Sequence, residues 1–290
     1  MRYEEARDDL INYYKANSRQ TKKLEGRIKL HLTPFFAHRR MAEINGALVN
    51  AYIAARLQSG AKPGTINREL AWLRQMYSLA IKAGKLMTKP HISLLREDNA
   101  RQGFFEYDQF QAVLRELPDD LAAVVRAAYY TGWRKDELLT LRWHQVANGQ
   151  LRLERSKNGE GRVFPYAQIP ELKAVIERQR ALHEDLVKGG RICSHVFHRN
   201  GVPILSMGKA FKAACRRAGV PGRLIHDFRR TAVRNLELAG VPRSVAMKLT
   251  GHKTASVYQR YAIASNADLE VGARKLADLH RVTHAVTLGS

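Results

Sequence analysis

Cysteine and long apolar runs are both scarce in this sequence. Only two of its 290 residues are cysteines, Cys193 and Cys215, so a disulfide framework is not expected and a reducing cytoplasm is the natural compartment. No apolar run approaches the roughly 20 residues that a membrane-spanning helix needs, and the first residues, MRYEEARDDL, are too charged for a signal peptide. What is left is a globular protein, long enough for one large domain or two of ordinary size.

Acidic residues are in deficit as well. Lysine and arginine number 49 against 27 aspartates and glutamates, which gives a formal net charge of +22. Residues 1–100 carry 18 basic and 9 acidic side chains and the remainder carries 31 and 18, so the excess is spread over both halves. The excess positive charges repel one another unless a bound polyanion neutralises them. Nucleic acid is therefore the expected partner.

The apolar pattern predicts a helical first domain. One long helix is indicated by apolar residues at helical spacing, namely Ile66, Leu70, Leu73 and Tyr77. The polar stretch TKPHISLLREDNARQG breaks the pattern and is typical of an exposed linker. We expect a helical domain over 1–88, a linker over 89–103 and a second domain over 104–290 with a C-terminal helix or tail.

Two Asn-Gly pairs in the second domain predict hairpin turns. Asn148-Gly149 and Asn158-Gly159 each lie between short segments of alternating polarity. A small antiparallel sheet should therefore interrupt the helices of this domain.

Two segments place arginine beside groups that could help it bind a phosphate. In HDFRRTAVRNLELAG, His226 and Arg229 are three residues apart, so a helix would present them together, and we expect this polar pair to face away from the core. In TGWRKDELLTLRW, Gly132 can end one helix and Arg134 can open the next, with Glu137 one turn on to orient the arginine. A guanidinium offers a planar fork for two phosphate oxygens. The alternatives are solvated arginines and a surface ion pair.

Further candidates are a lysine on a turn and two tyrosines near the C-terminus. Lys157, at the tip of the second predicted hairpin, could reach a nucleic-acid groove and exchange a proton with a leaving oxygen. The stretch TGHKTASVYQRY contains His252, Tyr258 and Tyr261. A tyrosine hydroxyl, with a pKa near 10, attacks a phosphodiester only with help from neighbouring groups. Periodicity alone does not choose between the two tyrosines.

In chain order the four segments are TGWRKDELLTLRW, SKNG around Lys157, HDFRRT and TGHKTASVYQRY. This order, on so basic a chain, resembles the tyrosine recombinase (phage integrase) family, and the resemblance covers most of the sequence. The resemblance implies a mainly α fold with a small antiparallel β-sheet. A SAM-like helical core-binding domain and a catalytic domain would form a C-shaped clamp on duplex DNA. It assigns the catalytic roles to Arg134, Lys157, His226, Arg229, His252 and Tyr261, with Glu137 supporting. Tyr261 is then the nucleophile and Tyr258 a packing residue, because the family's tyrosine follows the histidine by nine positions.

The resemblance also implies a chemistry and partners. Tyr261 would form a 3′-phosphotyrosyl bond and release a 5′-hydroxyl, which permits strand exchange for integration or excision of a phage or mobile element. Candidate DNA contacts are Arg68, Arg74, Lys82 and Arg230. We expect a homotetramer on two DNA sites that is monomeric or weakly associated off DNA. Accessory DNA-bending or directionality proteins are candidate partners, and the expected location is the cytoplasm, at the nucleoid of a bacterial or phage-infected cell. Many relatives carry a further N-terminal arm-binding domain, and only about a hundred residues precede the second domain here.

We expect no cofactor and no metal. Cys193, His195 and His198 resemble part of a zinc site, but no fourth ligand lies at useful spacing. Three alternatives stay open: DNA relaxation of the type IB topoisomerase kind, a non-catalytic DNA-binding regulator on the same scaffold, and RNA binding, which depends on charge alone.

Overall fold

A computed structural model describes residues 1–97, 103–154, 161–261, 269–274 and 277. These residues form two compact units, one within Met1–Ala100 and one within Arg101–Ser290. Helices dominate both units, and the strands form small antiparallel sheets in the second. The predicted fold class, mainly α with a small antiparallel sheet, is confirmed. Within the described ranges no helix has the length and apolar character to cross a membrane.

The first unit is a helical bundle. Its α-helices are α1 (Tyr3–Ala16), α2 (Lys22–Arg27), α3 (Thr33–Phe36), α4 (Gly46–Gln58) and α5 (Pro63–Lys82). A π-helical segment, Ile28–Leu32, joins α2 to α3, and a 3₁₀ turn, Met41–Glu43, precedes α4. The helix predicted from the apolar pattern is α5, which packs against α1. Its predicted apolar residues are all buried: Ile66, Leu70, Leu73 and Tyr77.

The second unit contains the remaining elements. Its helices are α6 (Tyr107–Arg115), α7 (Asp119–Thr131), α8 (Lys135–Leu139), α9 (Pro170–Lys188), α10 (Gly208–Arg217), α11 (Asp227–Leu238), α12 (Arg243–Thr250) and α13 (Ala255–Gln259). Its strands are β1 (Val146–Ala147), β2 (Gln150–Leu153), β3 (Arg162–Phe164), β4 (His198–Arg199) and β5 (Val202–Pro203). Short 3₁₀ turns cover Trp143–Gln145 and Tyr166–Gln168.

Strands β1, β2 and β3 form an antiparallel sheet in chain order. Asn148 and Gly149 connect β1 to β2 with φ angles of 52° and 69°. Both residues favour such left-handed backbone in two-residue hairpin turns, and the first predicted turn is confirmed. The second, Asn158-Gly159, lies outside the described residues. Strands β4 and β5 form a separate two-stranded hairpin.

Helix α7 lies at the centre of the second unit's core. It is buried along most of its length and packs against α6, α9 and α11. Aromatic stacking reinforces these contacts, with ring centroids 3.8 Å apart for Phe110 and Tyr129 and 4.3 Å apart for Phe105 and Phe228. The C-terminus of α7 therefore has a fixed position, and the candidate site is built around it.

Candidate active site

Two helix C-termini meet at the candidate site. Helix α7 ends at Gly132 and α12 ends at Gly251, with φ angles of 62° and 72°. Glycine takes this left-handed conformation without steric cost, which is why it so often ends helices. The last carbonyl groups of a helix lack partners within it and carry the negative end of its dipole. The two ends together therefore form a receptor for a cation.

Arg229 of α11 occupies that receptor. Its Nη1 donates to the carbonyl oxygens of Gly132 and Thr250, its Nη2 to that of Gly251, and its Nε to Nε2 of His252. A guanidinium has five N–H groups, so one N–H, on Nη2, is left without a partner in the described part of the chain. The residue is only 2% exposed. The expectation that Arg229 faces away from the core is therefore wrong: the two helix ends draw it inward.

Arg134 lies at the N-terminus of α8 and is held by Glu137, as its spacing predicted. The carboxylate accepts from the backbone N–H of Arg134 at 2.8 Å and from its Nη1 at 3.0 Å. The same carboxylate pairs with Arg162 of β3, whose guanidinium lies 4.7 Å from the ring centroid of Trp133. Burial, together with the charges of Arg134 and Arg162, lowers the pKa of Arg229 to about 10. The carboxylate of Glu137 thus pairs with two arginines whose charges reach Arg229.

His252 follows Gly251 and is buried beside Arg229. Its Nδ1 lies 2.7 Å from Oγ1 of Thr250 and its Nε2 accepts from Nε of Arg229 at 3.0 Å. Burial and the charge of Arg229 lower the pKa of His252 to about 3. His252 is therefore a neutral imidazole with both ring nitrogens bound to the protein.

His226 contacts the hydroxyl group of Tyr261. It directly precedes α11, and its Nε2 lies 2.9 Å from Oη of Tyr261. Burial lowers the pKa of His226, and the charges of Arg229 and Arg230 lower it further. A neutral imidazole at this distance can accept a proton from a phenol. The ring of Tyr261 also lies near the guanidinium groups of Arg229 and Arg230, at 5.7 and 5.3 Å.

The two tyrosines that periodicity did not distinguish have different environments. Tyr258 is fully buried and packs against Val233 and Ala246. Burial, together with the carboxylate of Glu237, raises the pKa of Tyr258. Tyr261 lies at the end of the described segment, is partly exposed and reaches His226. Only Tyr261 combines access to a substrate with a neighbouring base.

The structure brings five of the six predicted catalytic residues together: Arg134, His226, Arg229, His252 and Tyr261. The sixth, Lys157, lies outside the described residues. The side chain of Arg230 is only 11% exposed and pairs with Asp227 at 3.0 Å, so Arg230 lies within the site rather than on an open surface. The other candidate DNA contacts are exposed on α5: Arg68, Arg74 and Lys82.

Sequence reasoning missed Arg162 and Thr250, although each carried a signal. Arg162 is two residues from the buried Phe164 on a strand, so the two side chains share a face. Thr250 is four residues from the buried Ala246 on a helix, which again places both on one face. A polar residue on the same face of a strand or helix as a buried apolar residue is a candidate for a buried polar contact.

The same fold is found among DNA-bound recombinases of known structure. A lambda integrase dimer bound to a COC′ core site aligns with 92% of this chain and 97% of its own at a TM-score of 0.76 and 17% identity. The Tn1549 transposon integrase in complex with circular intermediate DNA aligns with 92% of this chain and 98% of its own at a TM-score of 0.68 and 16% identity. At these identities the similarity establishes the fold.

Sequence comparison establishes the family. Residues 104–267 match the phage integrase family, and the chain belongs to that family. The integrase of Salmonella phage P22 is 25% identical over 217 residues, which cover 71% of this chain and 56% of the phage protein. A XerC-like tyrosine recombinase of Caldanaerobacter subterraneus subsp. tengcongensis is 26% identical over 260 residues, covering 75% of this chain and 66% of the relative. The chain thus spans little more than half the length of the P22 integrase.

Proposed function

We propose that this protein is a site-specific DNA recombinase that cuts and rejoins duplex DNA through a tyrosyl intermediate. The observation that carries the proposal is the 2.9 Å contact between Oη of Tyr261 and Nε2 of His226, beside the buried Arg229. A nucleophile, a neutral base and a positively charged receptor for a phosphate lie together, which is the arrangement that nucleophilic catalysis needs. Membership of the phage integrase family and the net charge of +22 support the same conclusion.

In the proposed reaction, Tyr261 Oη attacks a backbone phosphorus and transfers its proton to Nε2 of His226. The new O–P bond replaces the bond between phosphorus and the 5′-oxygen. The 5′-oxygen leaves and accepts a proton, and we propose Lys157 as the donor of that proton. Arg134 and Arg229 stabilise the negative charge on the nonbridging oxygens. The phosphodiester energy is kept in the 3′-phosphotyrosyl bond. The 5′-hydroxyl of another strand can therefore attack that bond and exchange partners.

The two arginines differ in what they can offer the phosphate. Arg229 commits four of its five N–H groups to the protein, so it contributes a single directed hydrogen bond. Among the described residues, the guanidinium of Arg134 has a partner only at Nη1, in the pair with Glu137, and its side chain is 27% exposed. Arg134 is therefore the residue that can bind two phosphate oxygens at once. We therefore propose that Arg134 binds two phosphate oxygens and that Arg229 donates one hydrogen bond from a fixed position.

We further propose that both units bind DNA, with the first as a core-binding domain and the second as the catalytic domain. The even spread of basic residues supports this assignment. One of the solved relatives is a lambda integrase tetramer bound to a Holliday junction. By analogy we propose a homotetramer on two DNA sites, acting at the nucleoid of a bacterial or phage-infected cell.

The test begins by selecting a bound duplex from a random-sequence library with the protein itself. A version of that duplex nicked near its centre traps a covalent adduct, because the short cut strand diffuses away before it can be rejoined. Wild-type protein and a Tyr258→Phe variant should give an adduct that survives denaturing electrophoresis, whereas Tyr261→Phe should give none. An adduct formed by Tyr261→Phe, or none with wild-type protein on any selected duplex, would contradict the proposal. Relaxation of a plasmid without exchange between two plasmids would instead favour topoisomerase activity.

A further inference from the structure

Thr250 joins the site through a continuous chain of hydrogen bonds. It is the last residue of α12 and is fully buried. Its Oγ1 lies 2.7 Å from the carbonyl oxygen of Ala246 and 2.7 Å from Nδ1 of His252. On the other side of the imidazole, Nε of Arg229 donates to Nε2 at 3.0 Å. The chain therefore runs from the guanidinium, through the imidazole and the hydroxyl, to the helix backbone.

Only one arrangement of protons satisfies this chain. Nε–H of Arg229 can only donate, so Nε2 of His252 must carry a lone pair. The proton of the neutral imidazole is then on Nδ1, where it donates to Oγ1 of Thr250. The threonine hydroxyl in turn donates to the carbonyl oxygen of Ala246. The strongly lowered pKa of His252 agrees with this neutral form.

We propose that Thr250 is a positioning residue that holds His252 in its Nδ1–H form, so that the imidazole accepts from Arg229 and fixes the plane of its guanidinium group. The catalytic part of this inference rests on the proposed recombinase function. Both ring nitrogens of His252 are committed to the protein. A direct hydrogen bond from His252 to a bound phosphate would therefore require this chain to break.

A purely structural role for Thr250 makes the opposite prediction for two substitutions. A Cβ placed on Gly132 would lie 3.4 Å from Cγ2 of Thr250, so the threonine methyl group fills space beside the end of α7. Thr250→Val keeps this shape and removes the hydroxyl, whereas Thr250→Ser keeps the hydroxyl and removes the methyl. If Thr250 acts through packing of its methyl group, Thr250→Ser is the harmful substitution. If Thr250 acts through its hydroxyl group, Thr250→Val is the harmful substitution.

The tautomer can be measured directly in the whole protein without DNA. Long-range ¹H–¹⁵N correlation on protein labelled at histidine distinguishes Nδ1–H from Nε2–H, and a His252→Gln variant identifies the signal. We expect the Nδ1–H form in wild type and in Thr250→Ser. In Thr250→Val the buried Nδ1–H group has no acceptor, so we expect the imidazole to give up its hydrogen bond with Arg229 and the Nδ1–H form to be lost. The Nε2–H form in wild type, or an unchanged Nδ1–H signal in Thr250→Val, would overturn the inference. Unchanged signals from the other histidines show that the valine variant is folded.

The consequence for catalysis is measured as the single-turnover rate of adduct formation at saturating nicked duplex. Loss of one hydrogen bond that orients a charged group should slow Thr250→Val by about tenfold, with serine restoring the rate to within about twofold of wild type. Equal rates in all three proteins, or a slow serine variant beside a normal valine variant, would refute the positioning role. Absence of any adduct with wild-type protein counts against the recombinase proposal instead, and the tautomer measurement then decides this inference alone.

Discussion

Replacing Arg229 with methionine should destabilise the second unit much more than replacing Arg134 with methionine. Methionine keeps an unbranched apolar stem of similar reach and removes every donor. The carbonyl groups that end α7 and α12 would then face a buried space without the guanidinium that now joins them. Arg134 is also proposed to bind the phosphate, but it makes one partly exposed ion pair and Glu137 keeps Arg162 as a partner.

The expected magnitude follows from the groups left unpaired. Three carbonyl oxygens and one imidazole nitrogen lose their donor, at about 1 kcal/mol or more each, which gives roughly 4 kcal/mol. Part of this is offset because methionine avoids the desolvation that lowers the pKa of Arg229 to about 10. A net loss of about 2–3 kcal/mol is expected, which corresponds to roughly 5–10 °C in Tm for a unit of this size. Arg134→Met should stay within about 1 kcal/mol.

The assay is urea unfolding followed by tryptophan fluorescence in a Trp72→Phe background. The sequence has three tryptophans, and this change leaves only Trp133 and Trp143, both in the second unit. The free energies of unfolding of the two methionine variants are then compared at equal m-values. Equal losses in both variants, or an Arg229→Met protein as stable as wild type, would refute the claim that Arg229 joins the two helix ends.

Three further predictions follow from the same coordinates. Gly132→Ala should lower the free energy of unfolding by at least about 2 kcal/mol, because φ is 62° and the new Cβ would lie 2.8 Å from the Cβ of Ala232. Gly240→Ala, with φ of 73° and open space around it, should lower the free energy of unfolding by only about 1 kcal/mol in the same assay. Burial and the charges of Arg229 and Arg230 lower the pKa of His226 in the free site, so adduct formation at low DNA concentration, where the rate reports the free protein, should persist below the ordinary histidine pKa of about 6.5. Arg230→Gln should raise that pKa and move the acid limb of this rate to higher pH; an unmoved limb would contradict this assignment. The three candidate DNA contacts exposed on α5 are Arg68, Arg74 and Lys82. Removing these three basic side chains should weaken DNA binding and reduce the slope of log Kd against log salt by up to about 3 units. An unchanged slope would place these residues away from DNA.

Local features were predictable because each depends on neighbours in sequence. The apolar repeat located α5, the Asn-Gly pair located the first hairpin, and Gly132 marked the end of α7. The pairing of Arg134 with Glu137 also followed from their spacing at the start of a helix. In each case a few residues and one backbone geometry decide the outcome.

The placement of Arg229 was not predictable in this way. Its partners include Gly132, 97 residues earlier, and Gly251, 22 residues later. A helical pattern counted Arg229 as polar and turned it outward, because the pattern contains no information about which helix ends will meet. The choice of Tyr261 over Tyr258 was open for the same reason. It depends on which side chain fills the space beside Val233 and which reaches His226.

The electrostatics of the free site connect base strength to the presence of substrate. The charges of Arg229 and Arg230 keep the pKa of His226 below its usual value. In the proposed reaction a phosphodiester brings negative charge next to these arginines, which offsets their effect and raises the pKa of His226. The imidazole therefore becomes a stronger base when a phosphate is in position for attack. Without DNA the same histidine is a weaker base for the hydroxyl group of Tyr261. The positive cluster thus binds the phosphate and also restricts activation of the nucleophile to the occupied site.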